Sequence, residues 1–104
     1  MYCIIMYNVM DGFDWDWANI EKNKIKHGVE PNECEEIFFE RPLVTLKDIK
    51  HSQTERRYKA LGITKKGRKL HVTFIIRKNK IRVISVRNQS RKERKLYEKS
   101  YQNK

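Results

Sequence analysis

At 104 residues, with 38% hydrophobic and 11% aromatic side chains, the chain has enough apolar material for one packed domain with a modest core, which excludes an intrinsically disordered class. Its net charge of +11 is unevenly placed: residues 1–55 hold 6 basic and 11 acidic side chains, residues 56–104 hold 18 and 2, and such a one-signed half attracts a polyanion, whether nucleic acid, acidic protein or anionic membrane. Two cysteines without metal-ligand spacing exclude a disulfide scaffold and a zinc centre, and fit a reducing, cytoplasmic compartment.

The opening MYCIIMYNVM is apolar but lacks a basic n-region and a cleavage site, and it is too short to span a bilayer. Residues 1–12 are expected to be a variable leader, and Ile4 to Trp15 to be extended. Asp16 is placed to cap a helix over Trp17–His27 with Trp17, Ile20 and Lys24 on one stripe and Gly28 as its stop. His27 at that helix end reads as structural, and Trp15 and Trp17 read as core. A second helix begins where Glu30 precedes Pro31, buries Cys34, Ile37 and Phe38, and ends by Pro42.

After Pro42 the hydrophobic period becomes two. PLVTL, RYKALGI, KLHVTFIIR and IRVISVR are expected to be strands, the last three joined by the polar turns TKKGRK and RKNK. Leu70, Val72, Phe74 and Ile76 mark the buried face of the third strand, and Arg82 is expected to share a face with Ile84 and Val86. Ser90 with Glu93 forms a capping box for a last helix whose stripe is Leu96, Tyr97 and Tyr101. The expected order is β-α-α-β-β-β-β-α in one domain over residues 1–104. This is an α+β fold: a small antiparallel sheet with two N-terminal helices and a C-terminal helix, the helices against one face.

Three segments carry a family resemblance. FDWDWANIEKNKIKHGV resembles the motif F-[ED]-W-D-x-x-K-x-x-x-N-x-x-KHGV, and HSQTERRYKALG resembles H-S-x-x-E-x-R-[YF]-x-x-[IL]-G. IRVISVRNQSRKERKLYE resembles I-R-[IV]-I-S-x-R-x-x-[TS]-x-x-E-R-x-x-Y-E. They occur in the same order as in BrnT-like toxins of bacterial type II toxin–antitoxin systems. The resemblance implies a ribonuclease with a RelE-like fold. It also implies a BrnA-like ribbon-helix-helix antitoxin as partner, commonly with two toxins on an antitoxin dimer that binds operator DNA. The ribosome is a further implied partner. The chain departs from the motif in having Arg56 where a second acid is usual, and the family lysine of the first helix is absent.

Metal-independent RNA cleavage needs a group to take the 2′-OH proton, cations to stabilise the charge on the phosphorane, and aid to the leaving oxygen. No cofactor, metal or phosphate-binding glycine loop is called for by the sequence. The catalytic candidates are Arg87, Arg57, His51, Glu55 and His71. Arg87 leads, because it ends a strand beside a helix start where a guanidinium and free N–H groups can hold one phosphate. His51 reads equally as a loop residue, and Glu55 as an ion-pair partner of Arg56 or Arg57. His71 alternates away from Leu70 and Val72, onto the half of the sheet expected to be bare. RNA-binding candidates are Arg94, Arg91, Lys59, Arg77 and Tyr97; Arg57 and Lys59 share a face, and Tyr97 reads as core or as a stacking ring.

Two other function classes fit the same residues. One is a non-catalytic nucleic-acid-binding module held by phosphate contacts, whose affinity falls steeply with salt while RNA stays intact. The other is an adaptor whose basic half docks an acidic protein.

Overall fold

The period-two segments after Pro42 form a four-stranded antiparallel meander in the computed structural model, which describes residues 12–40, 42–48, 50 and 55–102. Strands β1 (Val44–Lys47), β2 (Arg57–Ile63), β3 (Lys69–Arg77) and β4 (Lys80–Asn88) lie side by side in chain order. The β2–β3 turn is closed by Thr64, whose N–H donates to the Arg68 carbonyl and whose Oγ1 accepts from Arg68 N–H. The β3–β4 turn puts both Lys78 and Asn79 at positive φ, the pairing whose twist matches that of a two-residue hairpin.

Three helices frame the sheet: α1 (Trp17–His27), α2 (Pro31–Glu36) and α3 (Arg91–Gln102). Each start follows its sequence signature. The Asp16 carboxylate accepts from Ala18 N–H, Glu30 and Glu33 cap α2 reciprocally, and Ser90 and Glu93 do the same for α3. Gly28 takes the left-handed conformation that ends α1. The expected N-terminal strand falls mostly outside the described residues. What is described is a parallel bridge in which Gly12 and Asp14 bond the backbone of Ile81 at the free edge of β4.

The main core lies on one sheet face, where Ala60, Val72, Phe74, Val83 and Val86 meet Cys34, Ile37 and Phe38. Gly62 is the point of closest approach to α2, since a Cβ there would sit 2.7 Å from Ile37 Cβ. Gly62→Ala is therefore expected to destabilise the fold by about 1–3 kcal/mol through overpacking. Urea denaturation checks this, and an unchanged midpoint would mean that the turn after α2 yields at no cost.

The expectation that all helices share one face is corrected. Tyr97 of α3 packs with Val44 and Leu61, which alternate away from Ala60, so α3 covers the second face. Strand β3 is buried on both sides: His71, Thr73 and Ile75 are 5%, 8% and 5% exposed. Their polar members imitate a solvent face in the sequence. Of the α3 stripe, Tyr97 is fully buried while Leu96 is exposed; the Tyr101 side chain lies outside the described residues.

Two further readings change for stated reasons. A bulge at Thr73/Phe74 leaves Ile84 as an extra residue, and such a slip reverses the facing of what precedes it. Arg82 thus pairs with Ile75 rather than sharing a face with Val86, and its fork holds Asp14 and Asp16 at 3.1 and 3.0 Å. In α1, Trp17 is 77% exposed rather than core. That helix meets the backbone edge of β4 instead of an apolar face. Asn19 donates to the Val83 carbonyl and the buried Asn23 accepts from Val86 N–H, so amides do the docking. They also satisfy an edge that would otherwise be open.

Candidate active site

The second face of the sheet is a grid of paired residues. Its rows read Leu61–His71–Arg87, then Lys59–Thr73–Ser85, then Arg57–Ile75–Arg82. His71 and Arg87 are direct cross-strand partners, which brings together two residues 16 apart in sequence. The chain then turns back over this row. Gln89 N–H donates to the Lys69 carbonyl and its buried amide donates to the Gly62 and Leu70 carbonyls, fixing where α3 begins.

That placement lands Glu93, in the first turn of α3, beside both. Arg87 Nη1 and Nη2 donate to its two oxygens at 2.8 and 3.0 Å, a bidentate fork. Ser90 N–H donates to Oε1 at 2.8 Å, and His71 Nε2 stands 3.7 Å from Oε2. Burial pushes the Glu93 carboxyl up, but the Arg87 and Ser90 hydrogen bonds and the charges of His71 and Arg87 outweigh it and hold the group at about 2. Glu93 is an anion at every ordinary pH.

His71 has the opposite balance. Desolvation first, then the charges of Arg87 and Lys59, lower its pKa below the usual 6.5, while Glu93 works against them. The imidazole is neutral at pH 7, and neither ring nitrogen has a hydrogen-bond partner among the described residues. A neutral ring with an open lone pair can accept a proton. Arg87 is half-exposed, and its bonds to Glu93 raise its pKa further above the usual guanidinium value. The cluster therefore combines a proton acceptor, a phosphate-shaped cation and a fixed anion.

The other expected residues are distributed as follows. Lys59 lies one row away and is electrostatically felt by His71. Glu55 is an ion-pair partner, but of Arg77 on the next strand: the pair is bidentate and exposed, with Nη2 at 2.6 Å. That lowers the Glu55 pKa, chiefly through the Arg77 hydrogen bond. Arg57 sits opposite Ile75, four residues or about 13 Å along β3 from His71, so the expected site divides between two ends of one face. Arg91 is exposed, and Arg94 Nη1 donates to the Gln89 carbonyl at the same helix start. Tyr97 is core, with its hydroxyl donating to the Pro42 carbonyl, and its burial removes it as a stacking ring. His51 lies outside the described residues.

Glu93 is the member that sequence reasoning read only as a cap. A signal was present: between Arg56 and Lys92 there is no acid at all, so the first carboxylate after that run falls among cations. Elsewhere, Cys34 is fully buried, which drives its thiol pKa far up, with Glu35 adding to the effect. Among the described residues no three His, Cys, Asp or Glu side chains gather as a metal site would require.

Residues 15–93 match the family model for the ribonuclease toxin, BrnT, of type II toxin–antitoxin systems. The chain belongs to the BrnT toxin family. Comparison with individual curated proteins gives no match. The matched stretch of this BrnT toxin begins at Trp15, whose indole donates to Glu35, and ends on Glu93. It thus takes in the whole sheet and the complete Arg87–Glu93–His71 cluster. As type II toxins act beside a cognate antitoxin, the family assigns the chain an RNA substrate and an antitoxin partner. No helix among the described residues is long and apolar enough to cross a membrane.

Proposed function

We propose that this BrnT toxin is an endoribonuclease that cleaves RNA without a metal ion and so arrests translation in the cytoplasm. The observation that carries the reading is the juxtaposition of His71, neutral and with no side-chain hydrogen bond among the described residues, with the Arg87 fork on a basic face. His71 accepts the 2′-OH proton as the 2′ oxygen attacks the neighbouring phosphorus. Arg87 and Lys59 stabilise the charge that builds on the phosphorane oxygens. The bond from phosphorus to the 5′ oxygen breaks, that oxygen takes a proton from solvent as His71 returns its own to solvent, and a 2′,3′-cyclic phosphate remains. His71 is only 5% exposed, so productive binding swings the long Lys59 side chain toward the phosphate and opens the ring, while Arg87 stays in the plane set by Glu93. Arg57, Arg77, Arg91 and Arg94 hold flanking phosphates.

The partner in this reading is a BrnA-like ribbon-helix-helix antitoxin whose acidic side chains compete with RNA for the same cations. Two toxins on one antitoxin dimer, bound to operator DNA, complete the assembly, and the ribosome supplies the RNA in the cell. Antitoxin-free protein is expected to cut total bacterial RNA on a denaturing gel in EDTA. Loss of cutting on chelation overturns the metal-free step. Intact RNA that shifts on a native gel, also with ribosomes added, establishes the binding module instead.

A further inference from the structure

We infer that Glu93 is a positioning residue of this cleavage site: its single carboxylate, delivered by the first turn of α3, sets both the plane of the Arg87 fork and the charge balance around His71. The inference rests on the ribonuclease reading above.

The capping box does not account for what this side chain does. A cap needs one side-chain oxygen to accept from Ser90 N–H, and glutamine serves that role as well as glutamate. Here Oε1 takes the Ser90 bond and an Arg87 bond, while Oε2 takes the second Arg87 bond and faces His71 Nε2. An amide in this seat turns an NH₂ toward one guanidinium N–H and loses the fork. The demand for a carboxylate therefore comes from Arg87 and His71 rather than from the helix.

The charges facing His71 make the same point. Lys59 approaches from β2, Arg87 from β4 and Glu93 from α3. Two of these three are cations, and the chain offers no other acid from residue 56 to residue 92. Without Glu93 the charges facing the ring from Lys59 and Arg87 are both positive, and among the described residues the Arg87 guanidinium keeps only its 3.1 Å bond to the Asn88 carbonyl. Arg87 would then be free to rotate away from the row it shares with His71.

The test compares the full chain with Glu93→Gln. Cleavage of a short RNA gives kcat and KM, NMR gives the His71 titration midpoint (assigned by its loss in His71→Asn), and a thermal melt verifies the cap. The variant is expected to stay folded at the assay temperature while melting below the native chain, since it lacks the stabilised carboxylate, to titrate His71 at lower pH, and to lose about tenfold or more in kcat. Its KM is expected to hold or improve, because the face has become more positive. A merely repulsive acid predicts a better KM with kcat intact, and that result overturns the inference, as does an unmoved His71 midpoint. A native chain that leaves RNA whole overturns the ribonuclease reading instead; if the native chain cuts and Glu93→Gln equals it in kcat and midpoint, only the role of Glu93 falls.

Discussion

Arg87→Ala is expected to lower RNA cleavage by about 10²–10³-fold, the usual cost of losing one aimed donor to a developing oxyanion, while most RNA affinity survives. The two effects separate because they draw on different numbers of groups. Affinity is spread over the 18 Lys/Arg of residues 56–104, and removing one phosphate contact changes the salt slope of single-strand binding by only about 0.7. Transition-state charge is concentrated beside His71, where Arg87 is the cross-strand partner. Arg87→Lys keeps the charge but loses the fork, and is expected to remain impaired. Structure is not the confounder it would be for a deeper ion pair. Arg87 is half-exposed, and Glu93 keeps its bond from Ser90 N–H when the fork is gone. Single-turnover kinetics beside a filter-binding salt titration measure both quantities. Native-rate cleavage by Arg87→Ala would make the Arg87–Glu93 pair a structural clasp and move the chemistry elsewhere.

Most of the fold was legible because its local rules agree. Caps at Asp16, Glu30 and Ser90, the stop at Gly28 and the polar turns each name one structure, and all occur where the residues place them. Facing was harder, for physical reasons. Alternation reports where apolar residues lie, and His71 and Thr73 are buried polar residues that read as a solvent side. The bulge at Thr73/Phe74 is invisible in period and reverses Arg82. Helix α1 looked amphipathic through Trp17, yet it docks by Asn19 and Asn23, because what it meets is an edge of backbone.

The candidate site divides along the same line. Arg87 was found from its position at a strand end beside a cap, a purely local feature. Its partnership with His71 depends on strand register, and its fork to Glu93 depends on how far Gln89 lets the chain turn back. Glu55 shows the converse. Neighbours in sequence, Arg56 and Arg57, suggested its partner, but Glu55 lies in the bend before β2 begins at Arg57. The carboxylate instead meets Arg77 from the next strand. Long-range pairing decides these contacts, and a single sequence does not display it.

His71→Asn is expected to reduce cleavage by about 10²–10⁴-fold, the range for a general base, and to remove the acid limb of the pH–rate profile. The sign follows from the environment of the ring. Desolvation, with Arg87 and Lys59 behind it, places the folded pKa below 6.5, so the acceptor form dominates at neutral pH. The native rate should fall only as pH drops through that lowered value. The same shift bears on stability. The unfolded chain binds the His71 proton more tightly, so the contribution of the neutral ring is present above pH 6.5 and is lost as pH falls through the folded value. Glu93 gives a second, separate window: its contribution is present above 4.5 and is lost as pH falls toward about 2. Urea midpoints measured against pH should show both losses in the native chain and only the lower one in His71→Asn. A variant that cuts at the native rate with its acid limb intact would take the proton acceptor away from His71, leaving His51 as the histidine to replace next. Loss of the limb together with the upper stability window would tie catalysis and folding to one buried imidazole, which a separate surface histidine could not do.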